Sequence, residues 1–231
     1  MDNRKFWNER YESLPELGSG PGSRAYAAWF KQRLTEEAIA KCGARSVLDI
    51  GCGDMYWFPA AQITGVTYTG VDISDVIVAR NRARFPQFQF LLHDVANTPL
   101  NRTADLVVCF DVLIHQIQLE EFRATLRNVL ACISNVGLIS YLTPDASSER
   151  ASPDTPADVL QDEAELLDFL GKASFPRAQT AFHGELSGEI SRLAPGANAR
   201  IVGAYPAQTI YEITLPKRAP EPFDIERGAN R

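Results

Sequence analysis

Five short apolar runs, separated by helical patterns, constrain the fold of this chain more than any other feature of its sequence. Each run ends at turn-forming or acidic residues, which is typical of strands buried on both faces. Between the last two runs, the apolar residues of segment 116–133 fall on one helical face. This alternation predicts a mostly parallel sheet with helices on both sides. The five runs are residues 46–50, 68–71, 88–92, 105–110 and 136–141.

The segments before and after this alternating region also have patterns that predict secondary structure. Residues 1–44 contain an aromatic segment, a Gly/Ser-rich loop and a helical pattern from about residue 25 to residue 40, and we expect them to form an N-terminal helical cover. Residues 199–203 and 208–215 have the pattern of a terminal strand pair. We therefore expect a sheet of about seven strands with an antiparallel strand at its C-terminal end.

Segment 144–178 interrupts the alternation after the fifth run. It combines a proline-rich loop with an acidic amphipathic helix over 157–171, and its place after a strand predicts an insertion that acts as a lid. The alternative for its acidic run is an ordinary solvated helix face. A further helical pattern follows at about 182–194. Residues 1–215 are predicted to form a single domain, and the charged, proline-rich tail 216–231 is predicted to be disordered.

Composition and charge narrow the class of protein. Hydrophobic residues make up 45% of the 231 residues, enough for a core without disulfides. The formal net charge of −6 argues against a protein that binds nucleic acid by neutralising its phosphates. The four cysteines form no C-x-x-C pair, and the sequence has no Cys/His cluster typical of a metal site. No apolar run approaches the roughly 20 residues of a membrane span, and no signal-like stretch follows the polar start, so we expect a cytoplasmic protein.

The segment 47–54, with the sequence VLDIGCGD, is the strongest chemical signal in the chain. A strand leads into a glycine turn, and glycine lets the backbone approach a ligand closely. Asp72 follows Gly53 by 19 residues and ends the next strand, where an acidic side chain can bind ribose hydroxyls. A nicotinamide dinucleotide fingerprint would need Gly or Ala at position 56, where this chain has Tyr56. The motif therefore does not suit a nicotinamide dehydrogenase.

The order of these motifs resembles the class I S-adenosylmethionine-dependent methyltransferase family, in particular its small-molecule and glycan-modifying members. The matching segments are 47–54, 71–74, 93–95 and 104–115, within residues 45–142. The resemblance implies a Rossmann-like, doubly wound α/β fold and S-adenosylmethionine as the cofactor. Since this cofactor has no pyrophosphate, the bulky side chain at position 56 is compatible with it.

The resemblance also assigns roles around the methionine and ribose portions of the cofactor. Asp49, Gly51 and Gly53 would surround the methionine portion. Asp72 would bind the ribose, and Ile73 would pack against the adenine. An aspartate at a strand end also often serves only as a turn or cap residue, which is the alternative for Asp72.

Three further residues complete the cofactor site that the resemblance implies. Asp94 would meet the adenine amino group, with Val95 beside it. Phe110 would contribute its backbone near the sulfonium. For Asp94, as for Asp72, a role confined to the local turn is the alternative.

The N-terminal segments 6–11 and 20–24 resemble the part of these methyltransferases that folds over the cofactor. Arg24 would then pair with the methionine carboxylate, because a guanidinium matches that planar anion. The alternative is a surface arginine in contact with aromatic residues.

Three residues are candidates for the methyl-accepting side. Methyl transfer requires an aligned acceptor, and a hydroxyl acceptor also needs a base for its proton. His115 follows the fourth strand near the expected sulfonium, and His183 lies where the helix after the fifth strand is expected to start. Asp111 would bind substrate or cofactor, or cap the turn. A structural role is the alternative for both histidines, and it is the one we expect for His93.

The resemblance to small-molecule and glycan-modifying members implies O-methylation of a small polar acceptor, such as a sugar or glycan intermediate. N-methylation of a small metabolite is the alternative within the same family. A non-catalytic S-adenosylmethionine-binding subunit is the alternative from another class of protein. The acidic residues of segment 144–178 would disfavour polyanionic substrates such as RNA.

Overall fold

A seven-stranded sheet forms the centre of the computed structural model, which describes residues 2–15, 17–58, 65–142, 152–172, 184–205 and 208–216. The strands are β1 (Ser46–Ile50), β2 (Thr67–Asp72), β3 (Gln89–Leu92), β4 (Ala104–Cys109), β5 (Ile133–Leu142), β6 (Asn198–Tyr205) and β7 (Gln208–Thr214). The helices are α1 (Asn3–Ser13), α2 (Ala25–Cys42), α3 (Asp75–Arg84), α4 (Leu119–Ala131), α5 (Ala157–Lys172) and α6 (Leu186–Leu193).

The strands follow the order β3-β2-β1-β4-β5-β7-β6. β1 pairs in parallel with β2 on one side and with β4 on the other, so the direction of winding reverses between β1 and β4. β7 lies antiparallel between β5 and β6. The predicted Rossmann-like sheet, mostly parallel with an antiparallel C-terminal strand, is confirmed. Open α/β sheets bind ligands beyond the carboxyl ends of their strands at such a reversal.

Two hydrophobic cores lie on opposite faces of the sheet, because successive strand residues point to opposite sides. In β1, Val47 belongs to one core and Leu48 to the other. Phe122 and Leu126 of α4 are fully buried on the Leu48 face, and Ala38 of α2 packs on the Val47 face. Burial on both faces explains why the strands appear in the sequence as continuous apolar runs rather than as alternating patterns.

Several boundaries differ from the sequence-based expectation. α4 covers Leu119–Ala131, which is shorter than the predicted 116–133, and β5 begins at Ile133 rather than at residue 136. Ile133 pairs with Ala104 of β4, and this neighbour extends β5 toward its N-terminal end. Pairing with another strand is a long-range contact that the local apolar pattern does not contain. α6 covers Leu186–Leu193 within the predicted 182–194.

The insertion after β5 contributes α5, which packs against α2. Glu163 of α5 is buried, and its carboxylate accepts a hydrogen bond of 3.1 Å from the backbone N–H of Tyr26. The rest of the predicted lid, 144–151 and 173–178, lies outside the described residues, as does the tail from residue 217. Among the helices that the structure describes, none is long and apolar enough to cross a membrane.

Candidate active site

A cavity of about 510 Å³ opens beside the carboxyl ends of β1, β2 and β4. The turns after the strands form its floor, and residues of α1 form part of its wall. Of the predicted site residues in the described part of the chain, the structure brings all but Asp49 and Arg24 to this cavity. The lining residues from strand ends and turns are Ile50, Gly51, Cys52, Gly53, Val71, Asp72, Ile73, His93, Asp94, Val95, Phe110, Asp111, Val112, His115 and Gln116.

The glycine turn after β1 leaves no room for a side chain. Gly51 and Gly53 have φ angles of 78° and 53°, in the left-handed region that favours glycine. A Cβ on Gly51 would lie 2.2 Å from Cγ2 of Val112, and one on Gly53 would lie 2.1 Å from Oγ of Ser19. Bare backbone therefore faces the cavity at both positions, with tight packing around it.

Asp72 joins the glycine turn to the start of α3. Its carboxylate accepts hydrogen bonds of 2.9 Å from the backbone N–H groups of Gly53 and Ser74. Burial raises the pKa of Asp72 to about 6, although these N–H groups counteract the effect. Each carboxylate oxygen retains acceptor capacity, because an ionised carboxylate has about four lone-pair sites. The group can therefore organise the turn and still accept hydrogen bonds from a ligand.

Asp49 lies below the turn rather than in the cavity wall. It is buried, and its carboxylate accepts a hydrogen bond of 2.8 Å from the hydroxyl of Tyr68. Burial raises the pKa of Asp49 to about 7, and the hydrogen bond from Tyr68 counteracts this. The structure does not bring this side chain into the position expected for contact with the methionine portion.

The far end of the cavity is formed by residues after β2 and β3. Ile73 and Val95 supply apolar surface. The carboxylate of Asp94 accepts hydrogen bonds from the backbone N–H of Ala96 at 3.0 Å and from Nδ2 of Asn97 at 2.6 Å. Asp94 therefore closes a local turn and lines the cavity at the same time, so the two roles considered from sequence are compatible.

The N-terminal helix α1 covers the cavity from the side. Asn3, Trp7 and Tyr11 of this helix are among its lining residues. Trp7 packs edge-on against the His115 ring at a centroid distance of 5.1 Å. The aromatic segment 6–11 was noted in the sequence, but nothing in it indicated which wall its rings would form, because that depends on docking to the turn that carries His115.

Arg24 is turned away from this cavity. Its Nη2 lies 2.5 Å from Oδ2 of Asp54, and its guanidinium lies over the ring of Tyr56 at 4.2 Å. Burial opposes ionisation of Asp54, but the hydrogen bond and charge of Arg24 together with backbone N–H groups lower its pKa. The structure thus pairs Arg24 with a carboxylate of the protein, where the sequence suggested the carboxylate of a ligand.

Asp111 forms the end of the cavity after β4 and has a φ of 60°, an uncommon value for a residue with a side chain. Its carboxylate accepts hydrogen bonds from the ammonium of Lys31, from the amide of Gln208 and, at 2.6 Å, from the hydroxyl of Tyr205. Its backbone N–H donates to Oγ of Ser140 at 2.9 Å. These contacts hold the turn after Phe110 in place. Backbone strain such as the positive φ of Asp111 is often found at functional sites.

Lys31 was not among the residues singled out from sequence. It lies within α2 and is fully buried, with its ammonium also donating to the carbonyl of Gly22. Burial lowers the pKa of Lys31, and the charge of Asp111 counteracts this. A lysine in a helix is usually exposed. Nothing in the local sequence therefore predicts that Lys31 is buried.

His115 lies in a 3₁₀ turn, Leu113–His115, directly after Asp111 and Val112. Burial lowers the pKa of His115, and the nearby charge of Asp111 only partly counteracts this. Its imidazole is therefore neutral at pH 7. Within the described part of the chain, the ring nitrogens have no hydrogen-bond partner, so one of them is available to a ligand in the cavity.

The other two histidines differ from His115. The ring Nε2 of His93 lies 2.9 Å from the carbonyl oxygen of Thr98, so this ring is engaged in a local contact although it lines the cavity. His183, the other predicted base, lies outside the described residues. In the described segments, no group of three or more His, Cys, Asp or Glu side chains is arranged to hold a metal ion.

The chemistry of the cavity lining fits S-adenosylmethionine. Gly51 and Gly53 line the cavity, and the tight packing around them leaves no room for a Cβ. Asp72 and Asp94 supply acceptors for hydroxyl and amino groups, and Val95 supplies apolar surface. Oε1 of Gln116 is buried without a hydrogen-bond partner in the described structure, which leaves one further acceptor for a ligand.

Comparison with known proteins gives a family for this chain. A family model described as a methyltransferase domain matches residues 16–180. A probable S-adenosylmethionine-dependent methyltransferase of Mycolicibacterium smegmatis is 29% identical over 183 residues, which cover 74% of this chain and 70% of the relative. One from Mycobacterium tuberculosis is 28% identical over 131 residues, which cover 55% of this chain but only 47% of that protein.

Solved structures share the fold. A magnesium protoporphyrin IX methyltransferase from Synechocystis with bound S-adenosylhomocysteine has a TM-score of 0.62 at 19% identity, covering 92% of this chain and 98% of that one. The N-methyltransferase NodS from Bradyrhizobium japonicum has a TM-score of 0.58 at 11% identity, covering 90% of this chain and 99% of that one. The match to the family model shows that the chain belongs to the methyltransferase domain family, and together with the relatives it identifies the chain as an S-adenosylmethionine-dependent methyltransferase.

Proposed function

We propose that this enzyme O-methylates a small polar acceptor, a sugar or glycan intermediate, with His115 as the general base. The observation that carries the proposal is the neutral imidazole of His115 in the cavity wall, with its ring nitrogens unengaged within the described part of the chain. A hydroxyl must lose its proton when it is methylated, and a neutral imidazole is the side chain best suited to take that proton near pH 7.

The charges around the cavity support a small acceptor that is not a polyanion. The charged residues among its described lining residues are Asp2, Asp72, Asp94, Asp111, Glu121 and Arg4. Because Lys31 balances the charge of Asp111, four acidic side chains remain against one arginine. An excess of negative charge repels a phosphate-rich substrate and leaves a neutral one unaffected. Oε1 of Gln116, next to His115 in sequence, would accept a hydrogen bond from a further hydroxyl of the acceptor and so orient it.

Different residues would bind the cofactor, exclude water and accept the proton. When bound, S-adenosylmethionine supplies a methyl group on a positively charged sulfur, which is already a good leaving group. The glycine turn and Asp72 would hold the cofactor, and the turn at Asp111 would position backbone beside the reacting centre. Trp7 covers this region and would exclude water. His115 would accept the proton of the acceptor hydroxyl.

A screen with matched acceptors tests the proposed reaction. The purified enzyme is incubated with methyl-labelled S-adenosylmethionine and with pairs of monosaccharides that differ only in hydroxyl or amino at one position. We expect labelled methyl ethers from the hydroxyl members. Exclusive labelling of the amino members would instead support N-methylation. Cofactor binding without methyl transfer to either member of any pair would exclude monosaccharides as the acceptor.

The proposed role of Asp72 predicts a pH-dependent cofactor affinity. Asp72→Ala is expected to weaken S-adenosylhomocysteine binding by about 1–3 kcal/mol through the loss of charge-assisted hydrogen bonds. Because ribose hydroxyls bind the ionised carboxylate, the wild-type affinity should fall as the pH drops below the pKa of about 6, by up to about tenfold per unit. Calorimetry between pH 5 and 8 measures both effects.

Asp72→Asn provides the comparison for this experiment. The amide keeps the shape of the side chain and does not titrate, so its affinity should be reduced at pH 8 and should change little toward pH 5. A folded Asp72→Ala variant with wild-type affinity would show that Asp72 only organises the glycine turn.

A further inference from the structure

A second cavity, of about 360 Å³, lies on the other side of the N-terminal cover, between that cover and α3. The reaction proposed above does not use it. Tyr11 lines both cavities. The remaining lining residues are Pro15, Gly18, Arg24, Asp54, Tyr56, Ile77, Arg80, Asn81 and Arg84.

The lining of this second cavity carries an excess of positive charge. Asp54 is the acidic member of the lining, and Arg24 already neutralises it at 2.5 Å. The oxygens of Asp54 also accept hydrogen bonds from Ser19 and from the backbone N–H of Tyr56. The charge of Asp54 is therefore used within the protein and does not compensate the other arginines.

Arg80 and Arg84 have no carboxylate partner among the residues that the structure describes. Nη1 of Arg80 donates to the carbonyl oxygen of Tyr11 at 2.9 Å, and its other nitrogens make no hydrogen bond in that part of the chain. The guanidinium of Arg84 lies over the ring of Phe85 at 5.0 Å. Both arginines are exposed, so their free N–H groups are accessible from solvent.

The spacing of these arginines brings their charges together. Residues four apart share one face of a helix, and like charges at that spacing repel each other. A bound anion would remove this repulsion and accept hydrogen bonds from both guanidinium groups, whose planar forks match phosphate and carboxylate. The ring of Tyr56 is 57% exposed and forms a wall of the same cavity.

We propose that the second cavity binds a small anionic molecule, bearing phosphate or carboxylate groups, between Arg80 and Arg84. Arg80 and Arg84 line the second cavity and are not among the residues that line the methyl-transfer cavity, so the anion is a second ligand and not the methyl acceptor. The positive lining contrasts with the net charge of −6 of the whole chain and with the acidic lining of the first cavity. This inference does not depend on which acceptor atom is methylated.

Calorimetry with the full-length enzyme tests the site without any knowledge of the acceptor. Inorganic phosphate, pyrophosphate and citrate are titrated at constant low ionic strength into protein saturated with S-adenosylhomocysteine, which occupies the first cavity. We expect at least one of these anions to bind with a Kd below about 1 mM. Stronger binding of phosphate or pyrophosphate identifies a phosphate ligand, and stronger binding of citrate identifies a polycarboxylate ligand.

Two double variants show where the anion binds. Arg80→Ser/Arg84→Ser should weaken binding by about tenfold or more, since each arginine supplies charge-assisted hydrogen bonds. Lys41→Ser/Arg127→Ser removes the same charge from exposed positions on α2 and α4 and should leave the affinity unchanged. Absence of binding up to about 10 mM, equal weakening in both variants, or binding only without S-adenosylhomocysteine would overturn the proposal.

Discussion

Replacement of Lys31 by methionine is expected to lower the free energy of unfolding by about 3–5 kcal/mol, the usual cost of removing one partner of a buried ion pair. Lys31 is fully buried, and its ammonium donates to Asp111 and to the carbonyl of Gly22. In the variant, the Asp111 carboxylate would retain Tyr205 and Gln208 but would lose its counter-charge. Urea unfolding followed by circular dichroism measures the loss.

A double-mutant cycle separates the ion pair from simple packing. Asp111→Asn alone should also destabilise the fold, because it leaves the ammonium of Lys31 buried without a negative partner. The combination Lys31→Met/Asp111→Asn should recover most of the loss, since no isolated charge remains. Losses that simply add would show that the two side chains do not depend on each other. Lys41→Met, on the same helix with a side chain 64% exposed, should change stability by no more than about 0.5 kcal/mol.

The same contacts show which parts of the fold the sequence could predict. The strand ends carry local signals, because each buried run stops at a turn or an acidic residue. The glycine turn is also local, since Gly51 and Gly53 are required by the backbone angles at their own positions. For this reason the sheet, the glycine turn and the position of Asp72 at its strand end followed from short segments.

The parts that could not be predicted depend on contacts between distant segments. Asp111 meets Lys31, Tyr205 and Gln208 across 80, 94 and 97 residues of sequence. None of these three belongs to a motif, and only the docking of α2 and the C-terminal strands brings them to the end of β4. The contact of Arg24 is of the same kind, because its guanidinium meets the carboxylate of Asp54, 30 residues away in the chain.

His115→Ala is expected to have the largest effect on catalysis. Loss of a general base lowers turnover by about 10²–10⁴-fold, and the decrease should appear in single-turnover methyl transfer to a hydroxyl acceptor found in the matched screen. Affinity for S-adenosylhomocysteine should stay close to the wild-type value, because the base contacts the acceptor. His183→Ala, measured in the same way, tests the other predicted base.

The pH profile distinguishes a base from a structural residue. Burial lowers the pKa of His115 below its usual value of 6.5, so the wild-type rate should hold down to that pH and fall only below the lowered pKa, where the imidazole becomes protonated. At saturating S-adenosylmethionine, where protonation of Asp72 does not limit the rate, His115→Ala should lack this acidic limb.

His93→Ala is the matched control, since His93 lines the same cavity but its ring is engaged with the carbonyl of Thr98. It should retain both the rate and the acidic limb. Wild-type rates for His115→Ala and His183→Ala across pH 6 to 9 would mean that alignment alone drives the transfer, and the general-base proposal would be wrong. A loss of stability with full activity in the folded fraction of His115→Ala would instead assign this histidine to packing against Trp7.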